Sequence, residues 1–133
     1  MIRIPVLVLA LVSLASCGGD SSSQEDDYQA ALAQTDAAQT QAESLAVTTP
    51  CNAVQQCAIM TLTVPSGHCA VPSYRPYSLV SPTADAASAA AANERTLAEH
   101  AISLSPPTAC TDGIQVPPVA ACSANACQAV QPN

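Results

Sequence analysis

The chain has 133 residues, no Trp, no Phe and three Tyr, with a formal charge of −7 from three basic and ten acidic residues. Side chains this small exclude a large enzyme fold and a multi-span membrane protein, and put the chain where small domains need covalent staples. The basic residues are isolated arginines, too few to replace the counterions of a nucleic acid or to hold an anionic lipid surface, so both partner classes are excluded.

The N-terminus reads Met1-Ile2-Arg3 and then runs apolar over residues 4–14. One basic residue before a short apolar run is the layout of an export signal, too short to span a bilayer and further discouraged from a permanent helix by Pro5. The run ends in Leu14-Ala15-Ser16-Cys17, which resembles the bacterial lipobox. That resemblance implies that residues 1–16 are a lipoprotein signal peptide. Cys17 then carries a diacylglyceryl group and a palmitate-type acyl chain on the new N-terminus. Two or more acyl chains anchor stably where one does not. Gly18 stands where an aspartate would favour inner-membrane retention, so the expected location is the bacterial cell envelope, lipid-anchored at the outer membrane. Once Arg3 leaves with the leader, only Arg75 and Arg95 oppose the ten acids.

Residues 17–49 are expected to be anchor, linker and stalk. Gly18-Gly19-Asp20-Ser21-Ser22-Ser23 is a flexible spacer. Residues 25–47 are rich in Ala, Gln and Glu, good helix formers, with Asp26 and Asp27 suited to a helix N-terminus. Tyr28, Ala31, Leu32, Ala38, Ala42 and Leu45 make only a thin apolar stripe, short of the large residues of a coiled-coil seam. The expectation is a helical or disordered stalk that ends at Thr49-Pro50.

Residues 50–133 are expected to be the Cys-rich globular domain. Met60, Leu62 and Val64 alternate with threonines, the pattern of a half-buried strand closed by Pro65-Ser66-Gly67. Residues 68–81, with three prolines and Tyr74 and Tyr77, read as a loop. Ser81-Pro82 opens a helix to about Leu104, with Ala86, Ala90, Leu97, Ala101 and Leu104 on its apolar face and Arg95 four residues before Glu99. Ser105-Pro106-Pro107 stops it. Ile114-Gln115-Val116 is a further short strand, and the runs about Ser123-Ala124-Asn125-Ala126 suggest a hairpin with Asn125 in its turn.

Of the seven cysteines, Cys17 is set aside by the lipobox. The remaining six, Cys51, Cys57, Cys69, Cys110, Cys122 and Cys127, form an even set in an exported chain and predict up to three disulfides, with 15 pairings open. A bridge across the 81–104 helix would stabilise by about 4 kcal/mol through chain entropy. The spacings lack the paired Cys-x2-Cys knuckles of common zinc sites, so no metal is expected, and no cofactor.

No nucleophile elbow, phosphate loop or His-Glu-x-x-His occurs. A catalytic thiol must stay unpaired, which an even set of six argues against. His68 reads as a loop residue, and His100 as an exposed residue near a helix end. Asp85, Glu94, Glu99 and Asp112 are dispersed and read as solvated surface. The chain is therefore not expected to be an enzyme. Tyr74, Arg75 and Tyr77 are of the types enriched at interface hot spots and mark a candidate interaction loop, although core tyrosines are the stronger reading.

From Cys57 through Gly67-His68-Cys69-Ala70-Val71-Pro72-Ser73-Tyr74-Arg75-Pro76-Tyr77-Ser78 to the late Cys110, Cys122 and Cys127, the chain resembles a group of small Cys-rich bacterial lipoproteins with no assigned activity. Ala70-Val71 stand where that group has two glycines. The resemblance implies architecture and no chemistry. Together these readings give an α+β, disulfide-stapled domain, with a short antiparallel sheet of about three strands and one packed helix. Its expected role is that of a non-enzymatic structural or interaction module with an envelope protein partner. The alternative is a small inhibitor or ligand-binding module presenting residues 69–81.

Overall fold

The structure, a computed structural model, describes residues 20–132 except 112 and 114. The lipobox and Cys17 lie outside the described residues.

Strand β1, Cys57–Ser66, and strand β2, Cys69–Ser78, pair antiparallel, with Cys57 opposite Ser78 and Ser66 opposite Cys69. Gly67 and His68 close the hairpin. Gly67 has φ +59°, which suits glycine at the first central position of a two-residue turn. The expected loop over residues 68–81 is thus mostly strand. Its prolines are tolerated because of their parity. The Thr63 N–H is turned away from β2 to Glu94, and the Ser78 N–H away from β1 to the Val47 carbonyl. In an antiparallel pair such positions alternate, so Pro65, Pro72 and Pro76 all fall where the N–H would point away from the partner strand. They cost the ladder nothing, and they blank two outward positions on the β2 edge.

Helix α1, Asp20–Leu45, and helix α2, Ala84–Leu104, lie antiparallel. Near one end of the pair Gln24 Nε2 donates to the Leu104 carbonyl at 3.3 Å, and at the other Thr83 Oγ1 donates to the Leu45 carbonyl at 2.8 Å. Their contact is a seam of small residues. Ala31, Thr35, Ala38 and Ala42 are buried on α1, and Ala84, Ala87, Ala91, Glu94, Ala98 and Ala101 on α2. Both sets step alternately by three and four residues, so each keeps one narrow stripe facing its partner. Alanine lets the backbones approach closely, and the lost side-chain area is replaced by backbone contact. The thin stripe, short of a coiled-coil seam, nevertheless packs, because its partner is equally small. The buried stripe of α2 is also rotated from the expected face: Ala86 is exposed and Leu97 only half-buried.

The helix pair covers one face of the β1–β2 hairpin. Ala42 and Ala91 meet Met60 and Leu62 in one buried cluster, with Ala46, Ala90 and Tyr77 packed around it. Residues 46–51, which include a cis Thr49-Pro50 bond, then cross between the sheets. Val47 accepts from Ser78, Thr48 accepts from Cys127, and the Cys51 N–H donates to Asn125.

The C-terminal hairpin joins β3, Val119–Ser123, to β4, Ala126–Val130, through Ala124 and Asn125. Both turn residues have positive φ, 51° and 64°, as a two-residue type I′ turn requires. Asn125 sits in the turn as its sequence suggested. Gln115 and Val116 are not strand, and Ile114 lies outside the described residues. The described residues are α+β and disulfide-stapled, with four strands in two two-stranded antiparallel sheets rather than three in one, and with two α-helices packed together rather than one.

Candidate functional site

Three disulfides close the fold: Cys51–Cys122, Cys57–Cys127 and Cys69–Cys110, with sequence separations of 71, 70 and 41. Each crosses α2 in sequence, so each closes a long loop in the unfolded chain. Taken singly, each contributes about 4 kcal/mol by chain entropy. Cys69–Cys110 pins the proline-rich segment 105–118 to the start of β2. Its Cys110 end is exposed, while Cys69 is buried.

The other two bridges are neighbours. A single 3-10 turn, Val54–Gln56, folds the chain between Cys51 and Cys57 so that both side chains turn to one place. On the other side, the type I′ turn sets Cys122 directly opposite Cys127. The sulfurs of Cys51, Cys57 and Cys122 lie within 4.8 Å of one another, and Cys127 is bonded to Cys57. Cys51, Cys57 and Cys127 form a buried cluster, with Ala120 and Cys122 half-buried against it. Metal ligation requires thiolates, and these sulfurs are committed to S–S bonds.

The residues of the candidate interaction loop are all on β2. Tyr77, opposite Ala58, packs on the Met60–Leu62 cluster and belongs to the core. Arg75, opposite Met60, extends toward α1, and its Nη2 meets Glu43 Oε1 at 3.0 Å. Both groups are partly exposed, so this pair orients more than it stabilises. Tyr74 sits on the other face, opposite Thr61, and is half-buried. One strand therefore divides the three residues between two faces and does not present them together. Arg95 and Glu99 do not pair, and Arg75–Glu43 is the ion pair found among the described residues.

Glu94, expected as solvated surface, is instead fully buried in the α2 seam, with both carboxylate oxygens 3.1 Å from the Thr63 backbone nitrogen. It thereby covers an outward N–H on the open edge of β1. Burial pushes its carboxyl above the ordinary value of 4.5, and the Thr63 hydrogen bond and the Arg95 charge offset that only in part. The signal was present: Glu94 occupies the three–four stepping that links Ala87, Ala91, Ala98 and Ala101. His100 is exposed, and His68 Nδ1 sits 3.2 Å from the Ile102 carbonyl, fixing the β1–β2 turn against the end of α2.

Beside Glu94, a shallow hollow of about 280 Å³ lies between β1 and α2, lined by Ile59, Thr61, Tyr77, Ser88, Ala92 and Arg95. Arg95 is exposed at this hollow and makes no ion pair with another described residue. Among the described residues, no helix is long and apolar enough to cross a membrane. Comparison with known proteins finds no matching family model, no matching curated protein and no matching solved structure.

Proposed function

We propose that the protein is a lipid-anchored lipoprotein of the bacterial cell envelope, held at the outer membrane through Cys17. In this reading it is a non-enzymatic structural or interaction module for an envelope protein partner. One observation carries the proposal. Six of the seven cysteines are consumed in disulfides, and the seventh is the cysteine of Leu14-Ala15-Ser16-Cys17. Three long-loop disulfides suit an oxidising compartment, and a lipobox cysteine needs a free thiol, so the two halves of the count support one another.

The alternative, a small inhibitor or ligand-binding module presenting residues 69–81, has less support, because residues 69–78 are a paired strand with Tyr77 in the core. The test is the mass of the mature N-terminus after expression in a lipoprotein-processing host. An acylated Cys17 at the first position is expected, with the protein in the membrane fraction. Cys17→Ser should retain the leader or release the protein from the membrane. A mature protein that begins elsewhere and stays soluble overturns the proposal.

A further inference from the structure

We propose that the paired bridges Cys51–Cys122 and Cys57–Cys127 are a site of thiol–disulfide exchange, at which an external thiolate converts them to Cys51–Cys57 and Cys122–Cys127. The conversion turns a strapped C-terminal hairpin into a releasable one.

Geometry carries this in three ways. First, the sulfurs of Cys51, Cys57 and Cys122 already stand within 4.8 Å of one another, so a thiolate freed at one has a second disulfide within reach. Second, the new partners are close in the fold. Cys122 faces Cys127 across β3 and β4. The Cys127 N–H leaves the hairpin for the Thr48 carbonyl, which makes this a non-hydrogen-bonded pair. Such pairs hold their Cα atoms at roughly 4.5 Å, inside the roughly 4.4–6.8 Å span of a disulfide. Cys51 and Cys57 are separated only by the 3-10 turn. Third, the four cysteines are unequally covered. Cys51, Cys57 and Cys127 are 3%, 8% and 2% exposed, whereas Cys122 is only half-buried and offers the point of entry.

The steps balance without net oxidation. A small-molecule or protein thiolate attacks the Cys122 sulfur, forms a mixed disulfide there and expels the Cys51 thiolate. Cys51 attacks the Cys57 sulfur, forming Cys51–Cys57 and expelling the Cys127 thiolate. Cys127 attacks Cys122 across the hairpin, forms Cys122–Cys127 and returns the original thiolate. Two S–S bonds are present before and after, and the thiol acts as a catalyst. Before exchange, two bridges tie the hairpin to residues 51 and 57, on either side of the 3-10 turn. Afterward each bridge is local, and only Cys69–Cys110 still joins the C-terminal third to β2 covalently.

The experiment incubates the oxidised full-length protein with a glutathione redox buffer, quenches with acid and digests with pepsin without reduction. In the starting protein, the peptides containing Cys51–Cys57 and Cys122–Cys127 are disulfide-linked to each other. After exchange they are expected to separate, each with an internal bridge, while alkylation still finds three disulfides in the domain. The rate should rise with pH as the added thiol ionises. A second variant needs no added thiol. In Cys122→Ser, the unpaired Cys51 should capture Cys57, so that alkylation labels Cys127. If the wild-type peptides stay linked throughout, whether or not Cys69–Cys110 exchanges, the proposal is overturned. Label confined to Cys51 in Cys122→Ser overturns it equally, and if that variant does not fold the wild-type map decides alone.

Discussion

Ala98→Leu tests the helix seam, because two pictures of the N-terminal segment give it opposite signs. Ala98 is 0% exposed on the stripe of α2 that faces α1, whose own buried residues are Ala31, Thr35, Ala38 and Ala42. A leucine adds three carbons where two backbones meet through methyl groups. It must push the helices apart or leave its rotamer well, at a cost of about 1–3 kcal/mol for an overpacked core. For a domain of this size that is a fall in melting temperature of roughly 4–15 °C. If residues 20–45 were instead a free stalk, Ala98 would face solvent or a half-formed groove. Leucine would then be neutral or would add buried area. Thermal unfolding of the oxidised protein followed by circular dichroism at the helix band reads the sign. Ala89→Leu, at an exposed position of the same helix away from the hollow, controls for propensity and should lie within about 0.5 kcal/mol of wild type. An Ala98→Leu protein as stable as this control, or more stable than wild type, refutes the packed seam.

A protein beginning at Thr49 should unfold at markedly lower denaturant concentration than the full domain, because Ala42 and Ala46 leave the Met60–Leu62 cluster and the α2 seam opens; an unchanged midpoint would return residues 20–45 to a stalk. Reduction of all three bridges with excess phosphine should abolish the cooperative transition, since loops of 71, 70 and 41 residues are then released in the unfolded chain. Glu94 has a folded pKa raised above 4.5, so the folded state binds more protons than the unfolded one between those values. Its contribution to stability is therefore most favourable below pH 4.5 and is lost as pH rises through the raised folded value. Glu94→Gln should gain stability relative to wild type across that window, and parallel denaturation profiles of the two proteins from pH 4 to 8 would show that Glu94 does not titrate as its burial requires.

Local chemistry was legible where one residue type decides the backbone. Asn125 marks the tight turn and the Thr-alternating run marks β1, whereas Ser81-Pro82 announces α2 too early: the helix begins at Ala84 with Thr83 as its N-cap. Strand β2 was hidden because Pro72 and Pro76 read as breakers, and only the register shows that both sit where no N–H is wanted. The small sheet departs from expectation for a similar reason: Val116 is a good strand former but lies, with Gln115, in a segment held by Cys69–Cys110 and followed by two prolines. Disulfide pairing was not legible at all. Six cysteines in a row say nothing about which turns bring Cys51 and Cys57 to face Cys122 and Cys127.

The misplacement of α1 and of Glu94 has one physical root. Counting large apolar residues as the measure of burial discounts alanine, whose own area is small but whose absence of bulk lets two backbones exclude water together. In this chain the discounted residue type is the main building material of the core. A tight alanine seam has little volume to spare, and a glutamate enters it because its carboxylate meets a backbone N–H that the strand edge leaves unpaired. An apolar residue of similar size would fill the same space but leave Thr63 unsatisfied, at a cost of about 1–3 kcal/mol. The charge is tolerated at the price of a raised pKa. That exchange ties α2 to β1 at an outward edge position, Thr63, where neither the hairpin nor a proline settles the N–H. The seam and the carboxylate are thus one device. Small residues bring the helix close enough, and Glu94 uses that closeness to close the sheet edge.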